Sequence, residues 1–414
     1  MKRVVITGLG AICPIGNNVA ETWKAAVEGT CGIAPIRGFE DEVLPVSVAG
    51  QVKNFDPVAA GLTVQEVRHY DLFCRYAVAA SLEAMQQSGL VSGENIAPER
   101  LGVYMGSGIG GLNTFVAQTK NYLERGAKGV SPLFIPMLIA NMGGGNTAIK
   151  LNAQGPNLTS VAACATSTNT IGEAFLAIQA GRADAIVAGG AEAAIHPLSI
   201  GGFANARALS TVSDPALACL PFDSRRKGFV MAEGAGVVIL EELEHAVARG
   251  ADIIAEVVGY GHTCDAHHYT APRPDGTVTA RCIREALEQA GYREGEALYI
   301  NAHGTGTAMN DAAETKAIKL ALGEEDAKRA VISSTKSMTG HMLGAAGGLE
   351  LVLSALALRH GIVPPTVGLS EPDPACDLYY TPQKAEKRPI DIAISNSLGF
   401  GGHNATVALR RYNG

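Results

Sequence analysis

The sequence predicts an α/β protein built from a duplicated unit. Three observations carry that prediction. The chain has 414 residues, 47% hydrophobic and only 18% charged, enough for a large core in one double domain. Its 49 glycines and 5% aromatics suit close-packed layers joined by tight turns. Most tellingly, five segments recur in order. AEVVGYG (255–261) echoes VVITGLG (4–10), REALEQAGY (284–292) echoes LEAMQQSGL (82–90), and LYINAHGTG (298–306) echoes VYMGSGIGG (103–111). The SSTKSMTGH turn and LGAAGGLELVLSALALRHG helix (333–361) echo SVAACATSTNTIGEAF (160–175), and IAISNSLGFGG (392–402) echoes AIVAGGAE (185–192). Such a repeat predicts two pseudo-symmetric halves with mixed sheets, residues 1–250 and 251–414, whose loop ends face one another.

In chain order, Val4–Ile6 is a β-branched strand and Asn18–Glu28 a helix with Trp23 and Val27 at helical spacing. Residues 30–60 are loop-rich. Val64–Gly89 reads as one long helical region with Gly89 as its C-cap. Leu101–Met105 is a strand, 112–150 an insertion of helices and loops, and Ser160–Gly181 a short strand, a turn of small residues and a helix. Ala185–Ala188 and Ala235–Leu240 are buried strands around a second excursion, 196–230.

The net charge of −7 argues against general attraction to nucleic acid or acidic membranes. No apolar run is long enough to span a bilayer. The eight cysteines form no CxxC pair, and MKRVVITGLG enters a strand at once. Together these features predict free thiols in a reducing cytoplasm.

Cys164 sits where a helix N-terminus begins, among Ala162, Ala163, Ala165 and Ser167. Unpaired N–H groups and the helix dipole there favour a thiolate and should lower the thiol pKa. Alone, a cysteine in an apolar run is by default a core thiol. The repeat changes the reading. The turn equivalent to that of Cys164 carries His341, and the strand end equivalent to Gly106 carries His303. One thiol and two imidazoles in one cleft could form a nucleophile with two anion-stabilising donors. Lys336 lies in an uncharged stretch and, if buried, needs a partner; Glu350 on the next helix is the obvious one. GFGG (399–402) allows close backbone approach and free N–H groups, suiting an oxyanion hole or a mobile gate. GSGIGG (106–111) fits a nucleotide-binding pattern, but no acidic residue closes a second strand after it, which argues against a dehydrogenase. His262, His267 and His268 lie in a polar loop without a metal-binding motif and read as surface histidines.

VAACATS around Cys164, NAHGTGT at His303, STKSMTGHMLGAAG through His341 and SNSLGFGGHN resemble the β-ketoacyl-[acyl carrier protein] synthases, over essentially the whole chain and most closely the synthase II branch. The resemblance implies the thiolase-like fold in five α-β-α-β-α layers and a homodimer. It also implies a decarboxylative Claisen condensation that elongates fatty acids by two carbons and needs no cofactor and no catalytic metal. Cys164 would take the acyl chain from acyl carrier protein. His303 and His341 would promote decarboxylation of the malonyl group and stabilise the enolate. Lys336 and Glu350 would support the histidines, and the N–H groups of Cys164 and Phe400 would form the oxyanion hole. Phe400, flanked by Gly399 and Gly401, would also be the gate between acylation and condensation. Thr305 and Thr307 match contacts to the phosphopantetheine arm, and Phe203 and Ile109 match the acyl pocket, Ile109 near the dimer contact. Arg68 and Arg207 match carrier-docking positions, with Arg225, Arg226 and Lys227 added by charge clustering. Gln65 and His69 stand where basic residues are common, and Leu398 and His403 where Phe and Thr are common. A structural monovalent cation near Asn301, Glu350, Ser395 and Asn396 is a further family trait. A thiolase would carry a second cysteine in the GFGG loop, and a chain-length factor would lack Cys164; a type II polyketide ketosynthase shares every catalytic residue.

Overall fold

The computed structural model describes residues 1–414. The first half runs β1 (Val4–Ile12), α1 (Leu72–Ser88), β2 (Leu101–Gly106), α2 (Met142–Leu151), β3 (Asn157–Leu158), α3 (Thr166–Gln179), β4 (Ala185–Glu192) and β5 (Gly234–Glu242). The second repeats it as β6 (Ala255–Cys264), α4 (Thr277–Gln289), β7 (Leu298–Asn301), α5 (Ala308–Leu322), β8 (Val331–Ser333), α6 (Ala346–His360), β9 (Ile392–Gly399) and β10 (His403–Arg410). Strand order is β3-β2-β4-β5-β1 in one half and β8-β7-β9-β10-β6 in the other. In each, the first three strands are parallel and the last two join antiparallel. The half-sheets meet through β1 and β6 at Val4–Val257, Val5–Glu256 and Ile6–Ala255.

Five layers follow. Helices α1 and α2 cover the outer face of the first half-sheet, and α4 and α5 that of the second; α3 and α6 lie between, each packed on strands of both halves. The middle helices are therefore buried on nearly every face: all of α6 from Ala346 to Leu358 is buried. That is why its sequence is apolar all round rather than amphipathic.

The strand echo has a steric cause. A Cβ on Gly8 or Gly10 would lie 2.1 or 1.9 Å from the carbonyl oxygens of Ala84 and Ala80 on α1. On Gly259 or Gly261 it would lie 2.0 or 1.9 Å from those of Ala286 and Cys282 on α4. The Gly-x-Gly of each half lets its outer helix rest directly on the strand backbone.

The region expected as one helix, 64–89, is two. Tyr70 is extended, and Asp71 caps α1, accepting from the Phe73 N–H while its other oxygen receives the Thr114 N–H (3.2 Å) and hydroxyl. This cap outweighs continuous periodicity. Gly89 is the expected left-handed C-cap, with φ 69°. The two sheet edges differ. Beside β8, Ile332 donates to the Tyr379 carbonyl and accepts from the Thr381 hydroxyl, so this edge is covered. Both residues of β3 are exposed. No helix is long and apolar enough to cross a membrane.

Gly261→Ala should destabilise the protein by about 2–3 kcal/mol or more, since backbone rather than a flexible side chain meets the new methyl. Chemical denaturation of the variant against wild type measures it.

Candidate active site

Each half ends its parallel strands at the same cleft, and its middle helix begins there. Ala163 and Leu343 open the two short turns before α3 and α6 with matching left-handed φ values of 49° and 48°. By that match the residue in the place of Cys164 is Gly344, and His341 precedes the turn by two residues. Strand register, Leu101 with Ala185 and Leu298 with Ile392, puts His303 in the place of Gly106, as the repeat predicts.

The cleft holds a cavity of about 130 Å³ lined by Cys164, Arg207, Phe229, His303, Thr305, Thr307, His341, Leu398, Gly399 and Phe400, among others. The Phe400 N–H lies on the thiol side of the cavity and acts to lower the Cys164 pKa. A Cβ on Gly399 would lie 3.2 Å from the Cys164 nitrogen, so the Cys164 turn and the Gly399–Gly402 loop lie side by side. The cysteine keeps some exposed surface. The protein packed round its sulfur nevertheless pushes the thiol up to about 12, opposed by Lys336 and the Phe400 N–H. The lowering expected from the helix N-terminus is thus outweighed by desolvation in this arrangement.

The His303 and His341 rings stand edge to face, 5.3 Å apart. Both are buried, and desolvation, assisted by the charge of Lys336, holds both well below the ordinary imidazole pKa. They are neutral at physiological pH. Lys336 Nζ lies 3.4 Å from His303 Nδ1. An ammonium can only donate, so Nδ1 accepts and Nε2 carries the proton. Lys336 is itself ion-paired with Glu350, both buried, as expected. His341 donates its main-chain N–H to the Val230 carbonyl (2.7 Å), and its ring meets Phe229 edge-on at 5.2 Å. Phe400 touches Phe203 (6.2 Å between centroids), which touches Phe229 (5.5 Å). Phe203 therefore supports the cavity wall from behind.

Several supports left no local mark in the sequence. Glu314 on α5 accepts the N–H groups of His303 and Gly304, each at 2.8 Å, and burial raises its carboxyl to about 7. Asp311 accepts from Phe222 N–H and Gly306 N–H. Both acids sit on a helix of weak amphipathicity, and only their burial singles them out. The GSGIGG loop turns its N–H groups onto Glu192. Ile109 is partly exposed and stands outside the cavity lining.

Of the basic residues, Arg207 is exposed and reaches the cavity mouth, while Arg68, Gln65 and His69 are exposed on the separate helix Val64–His69. The Arg225–Lys227 cluster is corrected. Arg226 is buried, bonded to Asp373 and to the carbonyls of Thr307 and Ala308, and Arg225 is held by Asp223 and Ser370. They brace the loops behind the threonines, and only Lys227 is an exposed free charge. Gly401 lies in the loop after β9, where its N–H donates to the Tyr269 carbonyl. His403 is half-buried opposite Cys264.

Three buried oxygens near the ion pair lack any partner: Asn301 Oδ1, Glu350 Oε2 and Ser395 Oγ. Asn301 and Ser395 are register neighbours, and Asn301 Nδ2 donates to the Glu350 carbonyl. Amide, hydroxyl and carboxylate oxygens left unsatisfied together fit a hard cation. The Asn396 side chain does not join them, being bonded to Thr406 and Glu314.

The family models for the N-terminal and C-terminal domains of β-ketoacyl synthase match residues 1–246 and 254–370. The chain belongs to the β-ketoacyl synthase family, whose members are condensing acyltransferases. It is 51% identical over 412 residues to the 3-oxoacyl-[acyl-carrier-protein] synthase 2 of Synechocystis sp., covering 99% of this chain and 98% of that one. It is 49% identical over 411 residues to the 3-oxoacyl-[acyl-carrier-protein] synthase 2 of Staphylococcus aureus (strain COL), covering 99% of each. Among solved structures, a β-ketoacyl synthase from Burkholderia phymatum STM815 matches over the full length of both chains with TM-score 0.92 and 34% identity. A type II polyketide ketosynthase in complex with its acyl-carrier protein matches with TM-score 0.89 and 34% identity, again over both full lengths.

Glu350→Gln leaves the Lys336 ammonium buried without its counter-charge and should cost about 3–5 kcal/mol. Thermal and denaturant unfolding of the variant check this.

Proposed function

We propose that this chain is an elongating 3-oxoacyl-[acyl carrier protein] synthase of fatty-acid synthesis, with Cys164 as nucleophile and His303 and His341 as the decarboxylation pair. The observation that carries the reading is the convergence of Cys164, the two neutral imidazoles of His303 and His341, and Phe400 on one cavity. The full-length relatives at about half identity support the fatty-acid pathway over the polyketide one, whose ketosynthase is 34% identical.

The chemistry follows from the geometry. The Cys164 sulfur attacks the acyl thioester carbonyl. Charge builds on the oxygen, where the Cys164 and Phe400 N–H groups can receive it. Collapse expels the phosphopantetheine thiol, which takes up the proton lost by Cys164. Because the closed site holds that proton firmly, the Phe400 loop must open or water must enter for acylation. Malonyl thioester then occupies the cavity. Loss of CO₂ leaves its electron pair as an enolate, with charge on the thioester oxygen. His303 lines the cavity and its Nε2–H can donate to that oxygen, and a neutral imidazole stabilises it without quenching the carbanion. The carbanion attacks acyl-Cys164, the S–C bond breaks, and the released Cys164 thiolate takes a proton from water. The product is a β-ketoacyl thioester two carbons longer. Thr305 and Thr307, hydrogen-bonded to each other at 2.9 Å, line the route for the pantetheine arm. Asn301, Glu350 and Ser395 would hold a monovalent cation that satisfies the oxygens behind Lys336.

Acyl carrier protein is the partner this chemistry requires, and its acidic surface would meet Arg207 and Arg68. With Gln65 and His69 beside it, Arg68 is the permanent positive charge of its helix. A homodimer through β3 is supported by that strand's exposed edge and by exposed Leu158 and Val161. A reducing cytoplasm suits the reactive thiol and the eight free cysteines.

Cys164→Ala should abolish acyl-enzyme formation and condensation while leaving a folded dimer; continued condensation would contradict the assignment. His303→Ala and His341→Ala should each keep acylation but lose CO₂ release by roughly a hundredfold or more. Intact-protein mass spectrometry beside CO₂ measurement separates the two steps.

A further inference from the structure

His341 is held by the segment that leads into β5, residues 229–233. Its N–H donates to the Val230 carbonyl at 2.7 Å, and its carbonyl accepts the Ala232 N–H at 2.9 Å. The Phe229 ring meets the imidazole edge-on. The opposite edge of the same segment carries residues 50–52. There the Gly50 N–H donates to the Met231 carbonyl at 2.8 Å, and the Gly50 carbonyl accepts the Glu233 N–H at 3.1 Å. The three stretches form a small parallel ribbon, with Gly50 beside Ala232 and Met231 beside His341. The ribbon is tight. A Cβ on Gly50 would lie 2.4 Å from the Thr339 carbonyl oxygen, and one on Gly340 would lie 3.1 Å from that of Val230. A shift of the central stretch would therefore be passed to His341.

Glu233 fastens that central stretch from its far end. Its Oε1 accepts from the Val52 N–H at 3.1 Å and from the hydroxyl of Tyr76, on α1, at 3.3 Å. Glu233 and Tyr76 are both buried, and Tyr76 meets Phe55 edge-on at 5.2 Å. One carboxyl thus ties the 229–233 segment to a loop on one side and to the outer helix on the other. Burial raises this carboxyl to about 7, and no cation offsets the cost. What it supplies is an acceptor shared by two donors. It lies outside the cavity lining and touches none of the reacting groups. We propose that Glu233 is a positioning residue for His341, fixing the 229–233 segment so that the imidazole stays beside His303 at the cavity. The inference rests on the reading of His341 as a decarboxylation residue. Both donors meet the same oxygen, so the amide oxygen of glutamine can accept them, whereas alanine leaves both without a partner.

The test compares Glu233→Ala and Glu233→Gln with wild type in the full-length protein, measuring CO₂ release from malonyl carrier protein beside acylation of Cys164. Glu233→Ala should slow CO₂ release roughly tenfold while acylation stays within about twofold of wild type. Glu233→Gln should restore CO₂ release to near the wild-type rate. Tyr76→Phe, which removes one donor and keeps the other, should show the same split between the steps by less. A general loosening of the structure would slow both steps alike. Equal losses, no loss, or a Glu233→Gln variant as slow as Glu233→Ala overturns the proposal. If Glu233→Ala does not fold, Tyr76→Phe decides it by the same criterion. If His341→Ala releases CO₂ at the wild-type rate, the reading of His341 fails instead.

Discussion

Everything at the site depends on how closely α3 and α6 pack between the two half-sheets. The contact is made of residues with almost no side chain. A Cβ on Gly347 would lie 1.9 Å from the Thr168 hydroxyl oxygen, and one on Gly348 would lie 2.3 Å from the Gly236 carbonyl oxygen. A polar bond ties the two together, with Ser167 accepting the Gly348 N–H at 2.8 Å, and Thr168 meets Ser397 on β9 at 2.7 Å. Because the N-terminal turns of both helices are forced side by side, residues more than a hundred positions apart share one cleft. Duplication supplies two equivalent ends, and divergence gives one a thiol and the other imidazoles.

That cleft is buried, and burial has consequences of both signs. It disfavours every charge placed there. The imidazoles stay neutral, the Cys164 thiol is held in its protonated form, and Lys336 is paired with Glu350. Neutral imidazoles suit a reaction in which negative charge appears transiently on oxygen and must not be protonated on carbon. The same desolvation opposes thiolate formation.

Much of this was legible in the sequence because it is repeated or chemically unusual. The Gly-x-Gly of the first strand recurs at Gly259 and Gly261, and a lysine in an uncharged run implied Glu350. What escaped depends on distant partners. Arg226 reads as one of three surface charges until Asp373 and the Thr307 carbonyl are seen to enclose it. Glu192 and Glu314 bond residues whose relation to them is fixed only by the fold. The break at Tyr70 follows from Thr114, across the insertion, claiming Asp71. The thiol's raised pKa reflects how many atoms surround it, which helix position alone does not reveal.

The central claim is that burial beside Lys336 keeps both imidazoles uncharged, with His303 protonated on Nε2. A titration of the ten histidines by nitrogen-detected NMR, with His303→Gln and His341→Gln for assignment, tests it directly. The account predicts that these two remain neutral well below the ordinary value of 6.5 and that His303 shows the Nε2–H tautomer. An imidazole of the pair that titrates at or above that value, or a His303 protonated on Nδ1, would contradict it.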